Sequence, residues 1–216
     1  MNVNRMNIIL IIILSGFLLL AGGKGHANGD VQFSWAIIGK TNDDDKSLDI
    51  SSVLNLKAGD QLQIYIGQEN GTFLYLFLLE STGTLVLLHP ADILSYSTGE
   101  EVEQEVLIPD QHSAFTVAPP AGTEKLYLLA SPKRLEKLES LVTAYSQSPD
   151  NVASNTAVMK EIKKLRRQHS KLKHATEIGV PIAGTVGTRS VKPTELRATQ
   201  ISANGFYSRI VRIKHD

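Results

Sequence analysis

LKAGDQLQIYIGQENGTFLYLFLLESTGTLVLLHP, residues 56–90, is the stretch of the chain that decides its fold class. In its first part, QLQIYIG, apolar and polar residues alternate, which predicts a strand with one dry and one wetter face. The next part, TFLYLFLLE, is apolar on both faces, so both faces of that strand must be covered. The turn residues Asn70-Gly71 and Ser81–Thr84 predict that these two strands and TLVLLHP form a three-stranded antiparallel meander.

Other short segments on either side of this stretch also have the composition of strands. The segment VQFSWAIIGK carries Phe33, Trp35 and Ile37 on one side of an alternating strand, and QEVLIP, SAFTVAP and KLYLLAS follow later. Their short length and close spacing are typical of an all-β module. A chain of 216 residues with 42% hydrophobic residues is long enough to bury one full core.

The second half of the chain changes character. A first helix is predicted from Ser131-Pro132 to about Tyr145, because a serine cap precedes a proline at the first helical position. A second helix is predicted from about Ala153 to Lys173 on the spacing of its apolar residues. Glycines and prolines mark residues 176–195 as a connector, and Asn204-Gly205 predicts a hairpin in residues 196–216.

The expected fold is therefore mainly β with a helical insertion. It is an antiparallel β-sandwich-like sheet, closed by a C-terminal strand that returns to it, plus two helices. The expected division is a β domain at 28–131, a two-helix insertion at 132–175, the connector, and the C-terminal hairpin.

The N-terminal region has the pattern of a secretory signal peptide. Arg5 precedes the apolar run Ile8–Ala21, which is shorter than a comfortable membrane span, and small residues precede a cut after Ala27. We expect a signal peptide at 1–27 and a periplasmic or secreted protein. The alternative is an inner-membrane anchor that is not cleaved. The chain has no cysteine, which excludes disulfides, thiolate metal sites and cysteine nucleophiles.

Charge is distributed unevenly along the chain. Residues 28–131 hold 4 Lys and Arg against 15 Asp and Glu, a net of −11, whereas residues 132–216 hold 16 against 7, a net of +9. The basic centre is KEIKKLRRQHSKLKH, residues 160–174, most of which lies in the second helix, and its candidate partner-binding residues are Lys163, Lys164, Arg166 and Arg167. The possible partners are an acidic envelope protein, an anionic membrane surface, or the acidic sheet of the same chain. Because export is expected, nucleic acid is not an expected partner.

Patterns that carry catalytic, metal or cofactor chemistry are weak in this sequence. No G-x-S-x-G motif occurs, the histidines are scattered, and Asp43–Asp45 lack the spacing of a calcium loop. The segment GVPIAGTVGTRS lacks the G-K-[ST] ending of a phosphate loop. We therefore expect no catalytic residue, no metal and no cofactor.

The motifs of the β domain resemble a known family. They are an L-K-x-G-D strand start at Leu56–Asp60, an aromatic strand at Phe73–Phe77, a hairpin at Ser81–Pro90 and a turn at Pro119–Leu126. The family is an uncharacterised group of bacterial domains catalogued only as a domain of unknown function, and the resemblance covers about 28–131 plus the last strand. It implies an exported or envelope-associated β-rich module, found alone or fused to signalling kinase or caspase-like peptidase domains, without established catalytic residues.

Together these features predict an exported, non-enzymatic binding or assembly module of the bacterial cell envelope. The alternative is a small periplasmic hydrolase or carbohydrate-active protein in which scattered carboxylates, such as Asp60, Glu80 and Asp92, converge only in the folded chain. A third interpretation makes the basic helix a strut on the acidic sheet, which would make stability sensitive to salt.

Overall fold

The computed structural model describes residues 30–40, 45–51, 53–69, 71–99, 103–149, 151–170, 175–182 and 196–216. Over these ranges the chain forms two β-sheets and a layer of helices. Sheet A contains β1 (Asp30–Lys40), β2 (Lys46–Ser47), β4 (Gln61–Gln68), β7 (Glu105–Ile108), β8 (Phe115–Thr116), β10 (Ala175–Pro181) and β11 (Arg197–Asn204). Sheet B contains β3 (Leu54–Leu56), β5 (Phe73–Leu79), β6 (Leu85–His89), β9 (Gly122–Ser131) and β12 (Tyr207–His215). The helices are α1 (Ser95–Thr98), α2 (Glu136–Ser146) and α3 (Val152–Gln168).

Both sheets are almost entirely antiparallel. The strand order of sheet A is β10-β11-β1-β4-β7, with β2 also paired to β1 and β8 to β4. The order of sheet B is β3-β12-β9-β5-β6, in which only the β12–β3 pair is parallel. The expected β-rich, sandwich-like fold is therefore confirmed.

The main core lies between the two sheets. Sheet A contributes the face of β1 that carries Phe33, Trp35 and Ile37, as the alternation predicts, and each of these side chains is fully buried. Sheet B contributes Leu74 and Leu76 of β5, with alternate residues of β9 and β12. Two inner faces of alternating apolar residues thus form one dry layer.

A second core lies between the outer face of sheet B and the helices. Tyr75 and Phe77 of β5 pack there against residues of α2 and α3, such as Leu138 and Ile162. The central strand of the 56–90 stretch is therefore covered on both faces, as predicted. The helices form a third layer on sheet B, and they position the cations of α3 on the outside of the protein.

The predicted three-stranded meander is wrong in one respect. β5 and β6 form a hairpin, but β4 belongs to sheet A and β5 to sheet B. Both edges of β4 are occupied, by β1 on one side and by β7 and β8 on the other. β5 likewise has β9 and β6 on its two edges, so the turn at Gly71, with φ of 83°, joins the two sheets instead of closing a hairpin.

The predicted C-terminal hairpin is wrong for the same reason. β11 pairs with β1 and β10 in sheet A, whereas β12 pairs with β9 and β3 in sheet B. Gly205, with φ of 75°, occupies the crossing. The last strand does return to the β domain, and it occupies an interior position of sheet B.

The insertion and the connector also differ in their boundaries. α2 begins at Glu136, because Ser131 is still part of β9 and pairs with Phe73. α3 begins after Asn151, whose side chain accepts hydrogen bonds from the amides of Ala153 and Ser154, and it ends at Gln168. Within the expected connector 176–195, β10 pairs with β11 as an edge strand of sheet A.

The membrane-related expectations concern the N-terminal segment. The signal peptide at 1–27 and its cut after Ala27 lie outside the described residues. No helix in the described ranges is long and apolar enough to cross a bilayer.

Candidate functional site

The basic helix α3 is attached to sheet B by apolar side chains. Val158, Met159 and Ile162 are buried in the core between helices and sheet, and Leu165 packs against the same core. This stripe directs the opposite side of the helix outward. Four exposed cations lie on α3, and we call them the basic face: Lys160, Lys163, Lys164 and Arg167.

The basic face is neutralised only in part. The carboxylate of Glu161 lies 3.2 Å from Lys137 Nζ of α2 and 3.5 Å from Lys164 Nζ. Arg167 Nε donates to the carbonyl oxygen of Lys163 at 3.2 Å. Among the residues that the structure describes, no other carboxylate pairs with a cation of this face, so it stays positively charged.

The structure separates Arg166 from the other three predicted binding residues. Its side chain is half-buried at the contact between α3 and sheet B, and its Nε is buried without a hydrogen-bond partner. Burial raises the pKa of Tyr127 on sheet B, and the nearby charges of Arg166 and Arg212 partly offset that rise. Arg166 therefore lies on the inner side of the helix, while Lys163, Lys164 and Arg167 share the accessible side.

Within the described residues no ion pair joins α3 to a sheet, so none supports the interpretation of α3 as a strut on an acidic sheet. The ion pairs of α3 with other described residues all involve Glu161 and lysines of the helical layer. Contact with sheet B is made instead by the apolar stripe and by His169, whose ring stacks on Phe206 with centroids 4.6 Å apart.

A cleft of about 320 Å³ opens at one end of the sandwich, and we call it the sandwich cleft. Its inner walls are aliphatic side chains from both sheets, and its outer part is formed by the β5–β6 turn and by residues 115–120. The inner wall consists of Ile37, Leu62, Ile64, Leu78, Leu88, Leu126 and Ile213. Ser81, Thr82 and Thr116 at the mouth are exposed, so the cleft is open to solvent.

Three titratable side chains line this cleft: Glu80, Glu124 and His215. Glu80 Oε2 accepts a hydrogen bond from the Thr82 hydroxyl at 3.1 Å. His215 is the penultimate residue of the chain and is only 4% exposed. Its Nε2 lies 3.7 Å from Glu124 Oε1, and neither ring nitrogen has a hydrogen-bond partner.

The carboxylates named for the hydrolase alternative differ in their surroundings. Asp60 Oδ2 accepts a hydrogen bond from the Lys57 amide, and Asp92 Oδ1 accepts one from the Leu94 amide, so both support local turns. Only Glu80 lines the cleft, where its companion is Glu124. The lining of the cleft thus includes Glu80 but neither Asp60 nor Asp92, and the hydrolase alternative stays a prediction.

Sequence reasoning missed Glu124 and His215 as site residues. Glu124 pairs with Ile213 in neighbouring strands, two positions from the pair of Gly122 with His215. Nothing in the separate segments TEKLYL and RIKHD indicates that they meet. The available signal is the histidine itself, since it lies in an alternating strand at a position that faces inward.

A buried polar network joins the other end of β6 to β4. His89 Nε2 donates to Gln68 Oε1 at 3.0 Å, and the Tyr96 hydroxyl donates to the Leu74 carbonyl at 2.7 Å. Burial lowers the pKa of His89 to about 4, which keeps the ring neutral. Because all of these groups find partners within the protein, the network has a structural role.

The acidic segment Asp43–Asp45, which lacks the spacing of a calcium loop, is described by the structure only at Asp45. Asp43 and Asp44 lie outside the described residues, and the Asp45 carboxylate pairs with Lys40. Within the described ranges no three histidines or carboxylates are grouped as metal ligands would be.

Two stacked sheets with a helical cover define a β-sandwich module as the class of this protein. Residues 55–134 match the family model described as "Domain of unknown function (DUF4384)", which confirms the resemblance found in the strand and turn motifs. The match runs from β3 to the segment before α2, and is therefore narrower than the expected 28–131 plus the last strand. The chain has no significant match among curated proteins or among solved structures.

Proposed function

We propose that this protein is an exported, non-enzymatic binding or assembly module of the bacterial cell envelope, and that the basic face of α3 docks on an acidic protein surface. The observation that carries the proposal is the outward charge of α3. Lys163, Lys164 and Arg167 are exposed on a helix whose apolar stripe is fully used against sheet B. Rigid presentation of net positive charge favours steering and orientation of a partner of opposite charge.

A protein partner is favoured over insertion into a membrane surface. A helix that lies in a bilayer interface needs an exposed apolar face beside its basic one. The apolar residues of α3 are covered by sheet B, and the exposed Val152 lies at the helix start, away from the basic residues. The helix therefore offers charge without an apolar face to insert.

The placement in the envelope is supported by the sequence pattern of residues 1–27. A cation before an apolar run and a small-residue cleavage pattern after it are the parts of a signal peptide. Expression of the full chain followed by N-terminal analysis of the periplasmic fraction tests it. Recovery there of a chain that begins at Asn28 supports a cleaved signal peptide, whereas an uncut chain in the membrane fraction supports the uncleaved inner-membrane anchor instead.

The docking proposal is tested by charge reversal with a matched control. One variant changes Lys163, Lys164 and Arg167 to Glu, and the control changes the exposed Lys46, Lys57 and Lys133 to Glu, so both have the same net charge. The mature chain from Asn28 is used to capture proteins from an envelope extract, after thermal melts show that all three proteins fold.

We expect an acidic protein to be retained by the wild type and by the control, and to be lost with the α3 variant. Equal capture by all three would contradict docking through the basic face. A parallel sedimentation with vesicles that contain anionic lipid separates the membrane alternative. Vesicle binding that depends on the same three cations, without protein capture, would replace the protein partner by a lipid surface.

A further inference from the structure

The sandwich cleft lies in a part of the molecule that the basic face does not involve. It is bounded by the inner faces of both sheets, whereas α3 covers the outer face of sheet B. Its aliphatic walls come from β1 and β4 on one side and from β5, β6, β9 and β12 on the other. A ligand in the cleft would therefore contact both sheets.

The volume of the cleft is large enough for a small organic ligand. The cleft of about 320 Å³ is about twice the ~150 Å³ apolar cavity that holds one benzene. It has room for roughly ten to twelve non-hydrogen atoms on the same scale.

His215 is the polar group that points to a ligand. Its side chain is 3% exposed, it lines the cleft, and both ring nitrogens lack a hydrogen-bond partner. Buried polar groups in native proteins are almost always hydrogen-bonded. Gly122 lies beside it, since a Cβ there would be 2.6 Å from Ser81 Cβ and 3.8 Å from His215 Nε2. The imidazole of His215, which has no hydrogen-bond partner, is therefore next to Gly122, a position without room for a side chain.

The charges at the mouth of the cleft limit which polar head group a ligand can carry. Glu80 and Glu124 line the cleft together with His215, and the cations of the basic face lie on the other side of sheet B. Two carboxylates repel an anionic head group and attract an ammonium group. A neutral hydroxyl can exchange a hydrogen bond with the imidazole without a charge penalty.

We propose that the sandwich cleft binds a small amphiphile with an unbranched aliphatic chain of about eight carbons and a hydroxyl or ammonium head group. The chain lies between the aliphatic walls of the two sheets, and the head group bonds to His215 beside Glu124. This inference does not depend on the docking function of α3.

The first measurement is titration calorimetry of the mature chain with 1-octanol, octylamine and octanoate, each below its aggregation limit. We expect saturable 1:1 binding of octanol and octylamine, and octanoate weaker by at least about tenfold. From butanol to octanol the affinity is expected to rise about fourfold per methylene group. Equal affinity for all three head groups, or no saturable binding of any, would overturn the proposal.

The matched variants are Leu88→Trp and Leu87→Trp on β6. Leu88 lines the cleft, whereas its neighbour Leu87 packs on the helical side of sheet B. We expect Leu88→Trp to abolish octanol binding and Leu87→Trp to keep it, with circular dichroism to check that both fold. Octanol binding that persists in a folded Leu88→Trp protein would overturn the site.

A second variant keeps the test valid if the tryptophan variants do not fold. Glu124 is 29% exposed in its side chain, so Glu124→Gln changes the mouth charge with little change in packing. We expect octylamine binding to weaken by about tenfold, as for loss of one partly exposed charge contact, and octanol binding to stay within about twofold. Loss of octanol binding together with octylamine binding, or no loss of either, would contradict the proposed head-group contact.

Discussion

The hydroxyl of Tyr75 on sheet B donates a hydrogen bond of 2.6 Å to the buried carboxylate of Glu139 on α2. The same hydroxyl accepts the amide hydrogen of Leu135 at 3.0 Å, just before the helix begins. The other carboxylate oxygen of Glu139 accepts two hydrogen bonds from the guanidinium of Arg134. Burial and the adjacent carboxylate raise the pKa of Tyr75, so the phenol remains a donor. The start of α2 is therefore fixed to the sheet by polar contacts within an apolar interface.

Removal of the Tyr75 hydroxyl is expected to lower stability. Tyr75→Phe leaves the Leu135 amide without its acceptor and removes a donor from Glu139. A hydrogen bond to a charged group contributes about 1.5–3 kcal/mol, and we expect a loss in that range in urea unfolding. Tyr145→Phe is the control, because Tyr145 packs in the same core and no hydrogen bond of its hydroxyl to another described residue is present. Equal effects of both substitutions would show that ring packing, and not the bond to Glu139, supports the helix.

His89 is expected to make the protein less stable in mild acid. Burial lowers its pKa to about 4, whereas an unfolded histidine has a pKa of about 6.5. The unfolded chain therefore binds a proton first, and stability is lost as the pH falls from about 6.5 to 4.

The size of this effect can be isolated with two histidine variants. Between pH 7 and 4.5 the wild type is expected to lose about 2 kcal/mol more unfolding free energy than His89→Gln. His112 is exposed, so His112→Gln should lose as much as the wild type. If His89→Gln shows the same acid loss as the wild type, His89 does not remain neutral in the folded protein.

Gly122 is expected to tolerate no side chain. A Cβ at this position would lie 2.6 Å from Ser81 Cβ, and because Ser81 is a short side chain the backbone of the turn must move. We expect Gly122→Ala to lose about 1–3 kcal/mol, as overpacked positions do. Ser81→Gly removes the clashing atom, so the double variant should recover most of that loss. Failure of Ser81→Gly to rescue would place the strain elsewhere.

The attachment of α3 is expected to depend on its apolar stripe. Ile162 is fully buried against sheet B, and Ile162→Ala should lower the unfolding free energy by about 2–5 kcal/mol. Lys163→Ala, one residue further on, should stay within about 0.5 kcal/mol. Because few ion pairs hold the helix, we expect only a small change in melting temperature between low and high salt. A large salt dependence would favour the strut interpretation instead.

A strand could be predicted from the sequence where its apolar and polar residues alternate in step with their burial. Phe33, Trp35 and Ile37 face the core because alternation along β1 reports burial directly. β10 was missed because it is an edge strand whose side chains are mostly exposed, with Ile178 at 54% exposure. Such a strand is held by backbone hydrogen bonds, which leave no pattern in the sequence.

The assignment of strands to sheets could not be predicted. A turn at Gly71 or Gly205 needs the same positive φ whether the next strand pairs with the last one or crosses to the other sheet. The choice depends on which edges are already occupied by distant strands, as when Phe33 pairs with Ile201. The sandwich cleft depends on the same long-range pairing, since β12 brings His215 beside Glu124. The outward cations of α3, by contrast, followed from helical periodicity, except for Arg166.

The crossing of the C-terminal strand into sheet B bears on how the family region can be handled as a protein fragment. Residues 55–134 include β4 to β9 but neither β1 nor β12. Without these strands, β4 and β9 would each present an unpaired apolar edge, and Leu128 and Ile64 would lose their cover. Open edges of this kind associate with other chains. Residues 55–134 alone are therefore an incomplete part of the fold. When this fragment is expressed separately, we expect it to aggregate instead of folding as a domain.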